Sequence, residues 1–547
     1  MPRFSITSEL FRNPNMIREK AMVSKPFTVD ILDTTLRDGE QMRNVSYTPE
    51  EKLAIAKLLM EKVGVRYLEI ASARVSRGEE TAAEKVLQWA GDNGCADRIE
   101  ILGFVDSAKS ADWIADRGGQ VMNLLAKGSL KHLVKQLKKT KEQHVADIRE
   151  TIAHSMRRGV VCNVYLEDWS NGVLHSPDYV IYLIEHLHRE SVKRFMLPDT
   201  LGILSPKQVL RFISELRVRF PELIFDFHAH NDYGLATANT LASVEAGIRC
   251  VHCTVNGMGE RAGNAPLDEV VIGIHDFLGG QTGVDETQLD RASEMVEVYS
   301  GCRVAFNKPI SGSNVFTQTA GIHADGDRKG NLYVSALRPE RFKRKRQYAL
   351  GKLSGKSSLE YNLDQIGTDL TPEQKKLVLE RIIELGDRKE AITESDLPYI
   401  IADVLETPNE KAFQLKSCLV VTSMGLMPMA TIKLAYNNPK STQTQELEQS
   451  AQGDGGYDAF MNAVKAVCQK IAFPLPKLLD YSVSIPAGGK TDALVQCSIT
   501  WQDGNARFLT KGVNSDQVLA AIEATEKMLN LMVLRKYKWN ASIKENP

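Results

Sequence analysis

The stretch that decides the fold is 26–32 (PFTVDIL) followed at once by 33–41 (DTTLRDGEQ). The first segment is an apolar run, which predicts a buried strand. The second places four charged side chains around a glycine-containing turn. A salt-bridged strand end is one interpretation, but stability alone does not require so many charges there. Arg37 beside Asp38 instead indicates a guanidinium that stabilises an oxyanion and a carboxylate that binds a metal.

Length and composition limit the class of protein. A chain of 547 residues predicts two to four domains, and 43% hydrophobic with 25% charged residues is typical of a soluble globular protein. The net charge of −1 gives no reason to expect nucleic acid or a membrane as partner, and the basic run 343–346 is interpreted as solvated surface. The first 25 residues lack a signal-peptide core and predict an arm. Eight scattered cysteines are typical of the reducing cytoplasm.

Eight apolar runs alternate with helical patterns over the first half of the chain. Helical examples are 49–62, 78–89 and 206–220, where apolar residues recur every three or four positions. This alternation predicts an α/β fold, a parallel (β/α)₈ TIM barrel. A doubly wound sheet is the alternative, but no G-x-G-x-x-G follows the first strand. The eight runs span 27–32, 67–71, 99–104, 121–126, 160–166, 194–197, 223–230 and 250–256.

The second half of the chain changes character. Residues 281–402 are charged and predominantly helical in pattern, whereas 412–436 and 481–501 alternate apolar and polar residues as half-buried strands do. Segments 458–471 and 516–533 again show helical periodicity. We therefore predict an N-terminal arm (1–25), a TIM barrel (26–285), helical linker subdomains (286–408) and an α+β domain (409–547).

Polar residues follow six of the eight predicted strands, at the barrel end where active sites form. His228 and His230 are two apart on one strand, so their imidazoles share a face and suit one metal ion. Asp38 and Asn264 lie at neighbouring strand ends. Two imidazoles with carboxylate and amide oxygens favour Mn²⁺, Mg²⁺, Co²⁺ or Zn²⁺. The predicted metal could polarise a carbonyl group.

Three segments, 33–41, 228–232 and 256–266, resemble signatures of the acetyl-CoA-dependent Claisen-condensing synthases. This family of metal-dependent TIM barrels includes 2-isopropylmalate, homocitrate and citramalate synthases. Residues 316–325 resemble the family's linker subdomain, and the tail from about 415 resembles its amino-acid-sensing domain. The stretches 69–76, 164–172 and 323–333 are most similar to the pyruvate-using citramalate branch.

The resemblance implies a role for each matching residue. Arg37 would bind the ketone oxygen of a 2-oxoacid, and Thr200 would bind its carboxylate. Acetyl-CoA would be the co-substrate. Two further catalytic residues of the family come from the partner subunit, and they match His323 and Tyr333 here. The resemblance therefore implies a homodimer. The implied sets are Asp38, His228, His230 and Asn264 for the metal; Arg37, Glu167, His323 and Tyr333 for catalysis; and Gln41, Leu102, Leu125, Tyr165, Thr200 and Asn331 for substrate.

The identity of the 2-oxoacid depends on Leu102, Leu125 and Tyr165, which match the bulky lining of the pyruvate-specific branch. Large side chains there would leave room for a methyl group and little more. The two leucines could instead simply fill barrel layers, while the hydroxyl of Tyr165 needs a polar partner. We therefore predict condensation of acetyl-CoA with pyruvate to (R)-citramalate, with 2-oxoisovalerate and 2-isopropylmalate as the alternative pair. An acyl-CoA lyase or a non-catalytic amino-acid sensor is a more remote alternative.

The resemblance also implies feedback control by an end-product amino acid. In the citramalate branch the effector is isoleucine; leucine is the alternative. Ser515 stands where the pattern has proline, and a purely structural dimerisation domain is the competing interpretation. The residues matching the effector pocket are Tyr457, Asp458, Leu478, Tyr481, Ile485, Val495 and Gln517.

Overall fold

The computed structural model describes residues 27–387, 392, 396–405, 411–438, 444–484, 495–504 and 506–537. The chain forms two compact units. The first ends at Val315 and also includes Arg338–Arg344; the second comprises Phe316–Leu337 and the chain from Lys345 onward. The predicted arm at 1–25 lies outside the described residues.

The first unit is a closed barrel of eight parallel strands in chain order, with the last strand paired to the first. Each of the eight predicted runs forms a strand, so the TIM barrel is confirmed and the doubly wound alternative is wrong. The strands are β1 (Asp30–Asp33), β2 (Tyr67–Ser72), β3 (Ile99–Phe104), β4 (Val121–Lys127), β5 (Val161–Glu167), β6 (Val192–Asp199), β7 (Phe225–Ala229) and β8 (Cys250–Cys253).

Helices connect these strands, as the apolar spacing predicts. Leu58–Val63, Leu133–Leu137 and Ile274–Leu278 continue three of the helices as π-helical turns. The helices are α1 (Pro49–Lys57), α2 (Arg77–Asp92), α3 (Lys109–Asp116), α4 (Leu130–His132), α5 (Lys141–Arg157), α6 (Trp169–His175), α7 (Pro177–Leu187), α8 (Pro206–Arg219), α9 (Ala236–Glu245), α10 (Leu267–Gly273) and α11 (Leu289–Ser300).

Capping residues determine where the first helix begins. Thr48 accepts the backbone N–H of Glu51, whose carboxylate accepts the N–H of Thr48 in return, and Pro49 occupies the first helical position. This reciprocal arrangement satisfies two amide groups that a helix start would otherwise leave without partners. Ser205 begins α8 in the same way.

The second unit contains a short two-stranded sheet, four helices and an α+β region with two antiparallel sheets. Its buried core extends from Leu350 to Val533 and includes Trp501, whose indole N–H donates to Thr510 at 2.8 Å. The elements are β9 (Thr317–Gln318), α12 (Gly321–Gly330), β10 (Gln347–Tyr348), α13 (Lys356–Ile366), α14 (Pro372–Asp387), α15 (Leu397–Val404), β11 (Phe413–Ser423), β12 (Leu426–Asn437), β13 (Thr444–Gln452), α16 (Gly456–Lys470), β14 (Lys477–Ser484), β15 (Val495–Asp503), β16 (Ala506–Asn514) and α17 (Gln517–Tyr537).

Candidate metal centre and active site

A buried lysine holds the turn that follows β1 in place. Lys52 of α1 donates to the backbone oxygen of Leu36 at 3.0 Å and pairs with Glu40 at 2.6 Å. Its side chain is only 1% exposed. A buried ammonium must be paired to offset its desolvation cost, so these contacts constrain the loop on which Arg37 and Asp38 stand.

Four residues from three strand ends form what we call the Asp38 cluster: Asp38, His228, His230 and Asn264, all buried. His228 Nε2 lies 3.2 Å from Asp38 Oδ2 and 3.4 Å from His230 Nε2. A β-bridge joins His230 to Asn264. Because β7 alternates its side chains, the two imidazoles face the same point, as their spacing predicts.

The Asp38 cluster fits a divalent cation. Among the described residues, Asp38 Oδ1 and Asn264 Oδ1 are buried without a hydrogen-bond partner. The Asn264 amide already donates to Met258 at 2.9 Å, so its free oxygen can only accept. Burial lowers the pKa of His230 to about 4, with His228 adding to the effect, so this imidazole is neutral and able to ligate at neutral pH. The donor set suits a divalent metal but does not identify which one.

Arg37 stands beside the Asp38 cluster, fixed by two carboxylates. Its Nε donates to Glu69 at 2.6 Å, and its Nη1 lies 3.3 Å from Asp38. Burial alone would lower the pKa of Arg37, but Glu69 and Asp38 raise it above its ordinary value. The pKa of Asp38 is held below its usual range because Arg37 and His228 outweigh the effect of burial. A permanent cation next to a metal-type ligand set is suited to stabilising negative charge on a carbonyl oxygen.

Three other predicted residues lie at the same end of the barrel. Glu167 ends β5 and forms an ion pair with Lys127 at the end of β4. Thr200 accepts the N–H of Asp168 at 2.9 Å, which leaves its hydroxyl hydrogen to donate elsewhere. Gln41 is exposed at the end of the turn that contains Arg37. Lys127 was not anticipated as a partner of Glu167, because the two residues are 40 positions apart.

The three predicted pocket residues come together inside the barrel. Leu102, Leu125 and Tyr165 pack in one apolar cluster with Leu32 and Met196. The ring of Tyr165 lies edge-on to His228, with centroids 6.2 Å apart, and 5.9 Å from the Arg37 guanidinium carbon. The pocket residues therefore adjoin both Arg37 and the Asp38 cluster.

A second buried polar group lies among interior barrel residues. We call it the Arg194 network. Arg194 donates to Asp226 at 2.7 Å and to Cys250 Sγ at 3.2 Å, and it pairs with Glu100. Its members are Glu100, Asn163, Arg194, Asp226, Cys250 and His252; Asn163 bonds Asn123 at 2.8 Å, and Asn123 bonds Glu69 at 2.8 Å.

The Arg194 network was not anticipated from the sequence. The available signal was a polar residue two positions before an interior residue on several strands, as with Asn163 before Tyr165 and Asp226 before His228. Cys250 and His252 also lie near Asp226 as potential metal ligands. Arg194 already supplies the positive charge there, and burial raises the pKa of the Cys250 thiol, so a metal is disfavoured at this position.

The second unit contains the remaining predicted catalytic residues. His323 on α12 and Tyr333 have ring centroids 4.2 Å apart. Asn331 ends the same helix with a positive φ of 54°, a conformation that Asn tolerates better than most residues. Asp327 accepts the N–H of Tyr333 at 3.0 Å and pairs with Arg346 at 2.9 Å. These contacts fix the loop that brings His323 and Tyr333 together.

Three family models match successive parts of the chain. The HMGL-like model matches residues 28–296, the homocitrate synthase post-HMGL domain-like model matches 310–390, and the LeuA allosteric (dimerisation) domain matches 391–533. The (R)-citramalate synthase of Methanocaldococcus jannaschii is 32% identical over 92% of this chain and 99% of its own length. The 2-isopropylmalate synthase of the same organism is 32% identical over 97% of this chain and 100% of its own.

The chain belongs to the 2-isopropylmalate and citramalate synthase family. It is thus an acyltransferase that performs a Claisen condensation and has an allosteric domain, and this prediction is confirmed. Among solved structures, the hydroxymethylglutaryl-CoA lyase of Pseudomonas aeruginosa is 20% identical with a TM-score of 0.43, covering 51% of this chain and 95% of that one. In the described part of the chain, every helix is too short or too polar to cross a bilayer.

The synthase's allosteric domain places two of the predicted effector residues together. Tyr457 and Tyr481 have ring centroids 5.1 Å apart, and the Tyr457 hydroxyl lies 2.7 Å from Thr525 Oγ1. Asp458 accepts the N–H of Asp454 at 3.1 Å. Of the others, Leu478 and Gln517 are exposed, Val495 is buried, and Ile485 lies outside the described residues.

Proposed function

We propose that this synthase condenses acetyl-CoA with pyruvate and hydrolyses the thioester to give (R)-citramalate and CoA. The observation that supports this choice is the packing of Leu102, Leu125 and Tyr165 against one another beside Arg37. All three side chains are bulky, and the Tyr165 hydroxyl is engaged with a buried histidine at 2.9 Å, so its ring is held in place. A pocket closed in this way favours a methyl group over an isopropyl group.

The Asp38 cluster would hold the divalent ion, with Asp38, His228, His230 and Asn264 as ligands. Such an ion, once bound, supplies Lewis acidity toward the ketone carbonyl. Arg37 binds the ketone oxygen and stabilises the negative charge that develops there during carbon–carbon bond formation. Glu69 holds the Arg37 guanidinium in orientation through its bond at 2.6 Å.

Proton transfer falls to three residues in this proposal. Glu167 and His323 perform the acid–base steps, and Tyr333 assists His323, which its ring contacts. Removing a proton from the acetyl-CoA methyl group requires a positioned base, because that proton is only weakly acidic. Thr200 donates its hydroxyl hydrogen to the 2-oxoacid carboxylate, while Gln41 and Asn331 make further substrate contacts. His323 and Tyr333 act on the active site of the partner subunit in a homodimer.

We further propose that isoleucine is the feedback effector and binds the allosteric domain. The adjoining rings of Tyr457 and Tyr481 support a site for an apolar side chain, with Asp458, Leu478, Ile485, Val495 and Gln517 as the remaining pocket residues. Product feedback of this kind would act in the cytoplasm, where branched-chain amino acids are made.

A second candidate function is 2-isopropylmalate synthase. The Methanocaldococcus jannaschii enzyme with that name is as similar in identity to this chain as the citramalate synthase is. In that case 2-oxoisovalerate would replace pyruvate, and leucine would be the effector to test.

The deciding experiment measures CoA release by thiol titration with Mn²⁺, acetyl-CoA and pyruvate, 2-oxoisovalerate or 2-oxoglutarate. We expect the highest kcat/KM with pyruvate, and inhibition by isoleucine rather than leucine. A preference for 2-oxoisovalerate would contradict the proposal and support the second candidate.

Single substitutions test the pocket assignment directly. Leu102→Ala and Leu125→Ala should increase kcat/KM for 2-oxoisovalerate relative to pyruvate by about tenfold, because each deletion opens space for a branched substituent. Leu124→Ala is the matched control, since Leu124 is a fully buried leucine on β4 that projects to the opposite face of the strand from Leu125. An equal change in the control would contradict the assignment.

A further inference from the structure

We propose that His252 is a specificity-determining positioning residue, which acts together with Asp226 by fixing the hydroxyl of Tyr165 and so the size of the 2-oxoacid pocket. This proposal rests on the proposed function, because it assumes that Tyr165 lines the pocket. Neither His252 nor Asp226 contacts the substrate in this view; both act through Tyr165.

The three residues form a continuous chain of contacts. The Tyr165 hydroxyl lies 2.9 Å from His252 Nδ1, and the two rings meet edge to face with centroids 5.5 Å apart. On the other side of the imidazole, His252 Nε2 lies 3.4 Å from Asp226 Oδ2. Tyr165 is 3% exposed, His252 1% and Asp226 0%, so water cannot replace any of these contacts.

The direction of each hydrogen bond follows from the charges. Asp226 Oδ2 already accepts from the Arg194 guanidinium at 2.7 Å, so this oxygen is an acceptor in the network. Nε2 of His252 therefore donates to Asp226. A neutral imidazole has one N–H hydrogen, and this bond places it on Nε2, so Nδ1 accepts. Tyr165 must then donate its only hydroxyl hydrogen to His252.

This arrangement limits what the tyrosine ring can do. Moving the ring aside for a larger substrate would break a buried hydrogen bond and leave two polar atoms without partners. The ring also adjoins both His228, with centroids 6.2 Å apart, and the Arg37 guanidinium, at 5.9 Å, so its position is coupled to the site of chemistry. His252 thus holds the Tyr165 ring in one position, where it limits the size of the 2-oxoacid pocket.

The test uses two substitutions of His252, and each retains a different hydrogen-bonding function of the imidazole. His252→Gln keeps an amide donor toward Asp226 but removes the acceptor at Nδ1, whereas His252→Asn keeps an acceptor near Nδ1. The readout is the ratio of kcat/KM for pyruvate to that for 2-oxobutyrate and for 2-oxoisovalerate. We expect His252→Gln to lower this ratio about tenfold, chiefly through a lower KM for the larger acids, and His252→Asn to leave it within about twofold of wild type.

A double-mutant cycle shows whether His252 acts through Tyr165. Tyr165→Phe should reproduce the loss of selectivity, and adding His252→Gln to it should cause no further change in the ratio. An unchanged ratio in His252→Gln, or a full additional change on the Tyr165→Phe background, would overturn the proposal. Thermal unfolding of each variant establishes that it is folded. If His252→Gln is not folded, Tyr165→Phe alone decides, because it removes the same hydrogen bond from the other side, and an unchanged ratio in Tyr165→Phe would overturn the proposal.

The barrel provides a matched control. His144 is also buried, its Nδ1 lies 2.8 Å from the hydroxyl of Tyr179, and burial lowers its pKa to about 4 as well. His144→Gln removes the same kind of bond between two outer helices, so we expect it to lower stability and leave the substrate ratio unchanged. A similar ratio change in both variants would mean that the effect of His252→Gln is only structural.

The outcome is separable from that of the proposed function. If the wild-type enzyme prefers 2-oxoisovalerate, the choice of pyruvate is wrong. The cycle still decides the role of His252, because coupling to Tyr165 is measured on the ratio of any two 2-oxoacids.

Discussion

The Asp38 cluster and the Arg194 network are two buried groups of carboxylate and imidazole side chains in one barrel. They differ in how their buried charges are balanced. Asp226 of the network and His228 of the cluster are only two positions apart on β7. In the network, Arg194 supplies a positive charge to two carboxylates, and Asp226 Oδ1 is its only partnerless polar side-chain atom among the described residues. In the cluster, one carboxylate oxygen and two imidazole nitrogens lie within 4.8 Å of one another, close enough to share one metal ion.

The difference shows which buried polar group of this barrel stabilises the fold and which one is suited to bind a metal ion. Burying a charge is costly unless it is paired. The Arg194 network contains its own cation, so its role is to hold the barrel interior together. A group whose ligand atoms converge, with Asp38 Oδ1 and Asn264 Oδ1 left without hydrogen-bond partners among the described residues, is suited to an added cation. Glu69 links the two, because it accepts from Arg37 and from Asn123. Four predictions test this contrast.

The largest expected effect comes from removing a ligand of the Asp38 cluster. Asp38→Asn should lower kcat by at least about a thousandfold and weaken Mn²⁺ binding, because it removes the only ionised ligand. CoA release and calorimetric titration with Mn²⁺ measure the two effects. Asp226→Asn is the matched control and should retain Mn²⁺ binding. Retained turnover in Asp38→Asn would refute the metal assignment.

Removing the cation of the Arg194 network should affect stability rather than metal binding. Arg194→Met leaves Glu100 and Asp226 buried without their partner, and we expect the free energy of unfolding to fall by about 3–5 kcal/mol. Chemical denaturation measures this loss. Arg211→Met on the surface should cost far less, because the Arg211–Glu215 pair is largely exposed. Equal losses would contradict a structural role for the network.

Neutralising Glu69, which connects the Asp38 cluster to the Arg194 network, should have an intermediate effect on kcat. Glu69→Gln keeps the shape of the side chain but removes the charge that orients Arg37, so we expect kcat to fall by about ten- to a hundredfold. Steady-state kinetics at saturating Mn²⁺ measure it. Glu100→Gln, which lies farther from Arg37 in the same chain of bonds, should leave kcat nearly unchanged in the folded fraction.

The smallest effect concerns pH. The pKa of His252 is lowered by burial to about 4, so between pH 6.5 and 4 the unfolded chain binds more protons at this residue than the folded chain does. The wild-type protein therefore loses stability from His252 as pH falls through this range, whereas His252→Asn does not. Relative to wild type, the variant should gain about 2 kcal/mol in unfolding free energy between pH 7 and pH 5. A difference that is independent of pH would show that His252 is not held neutral.

Several features of the barrel could be predicted because they depend on short-range pattern. The strands followed from apolar runs of four to eight residues, and the shared face of His228 and His230 followed from the two-residue period of a strand. The helical patterns at 49–62 and 206–220 followed from apolar residues at three- and four-residue spacing. The polar partner that Tyr165 required was anticipated, but not that His252, 87 positions later, supplies it.

The sequence by itself determined the strands, the family and the residue types of the cluster around Asp38, since each is written in contiguous motifs. Only the tertiary structure decided which carboxylates are paired. Arg194 meets Glu100, 94 positions earlier in the chain, and Lys127 meets Glu167, because closing eight parallel strands brings distant interior positions into one layer. Pairing of buried charges depends on distances of a few ångströms, and a linear pattern contains no such distances.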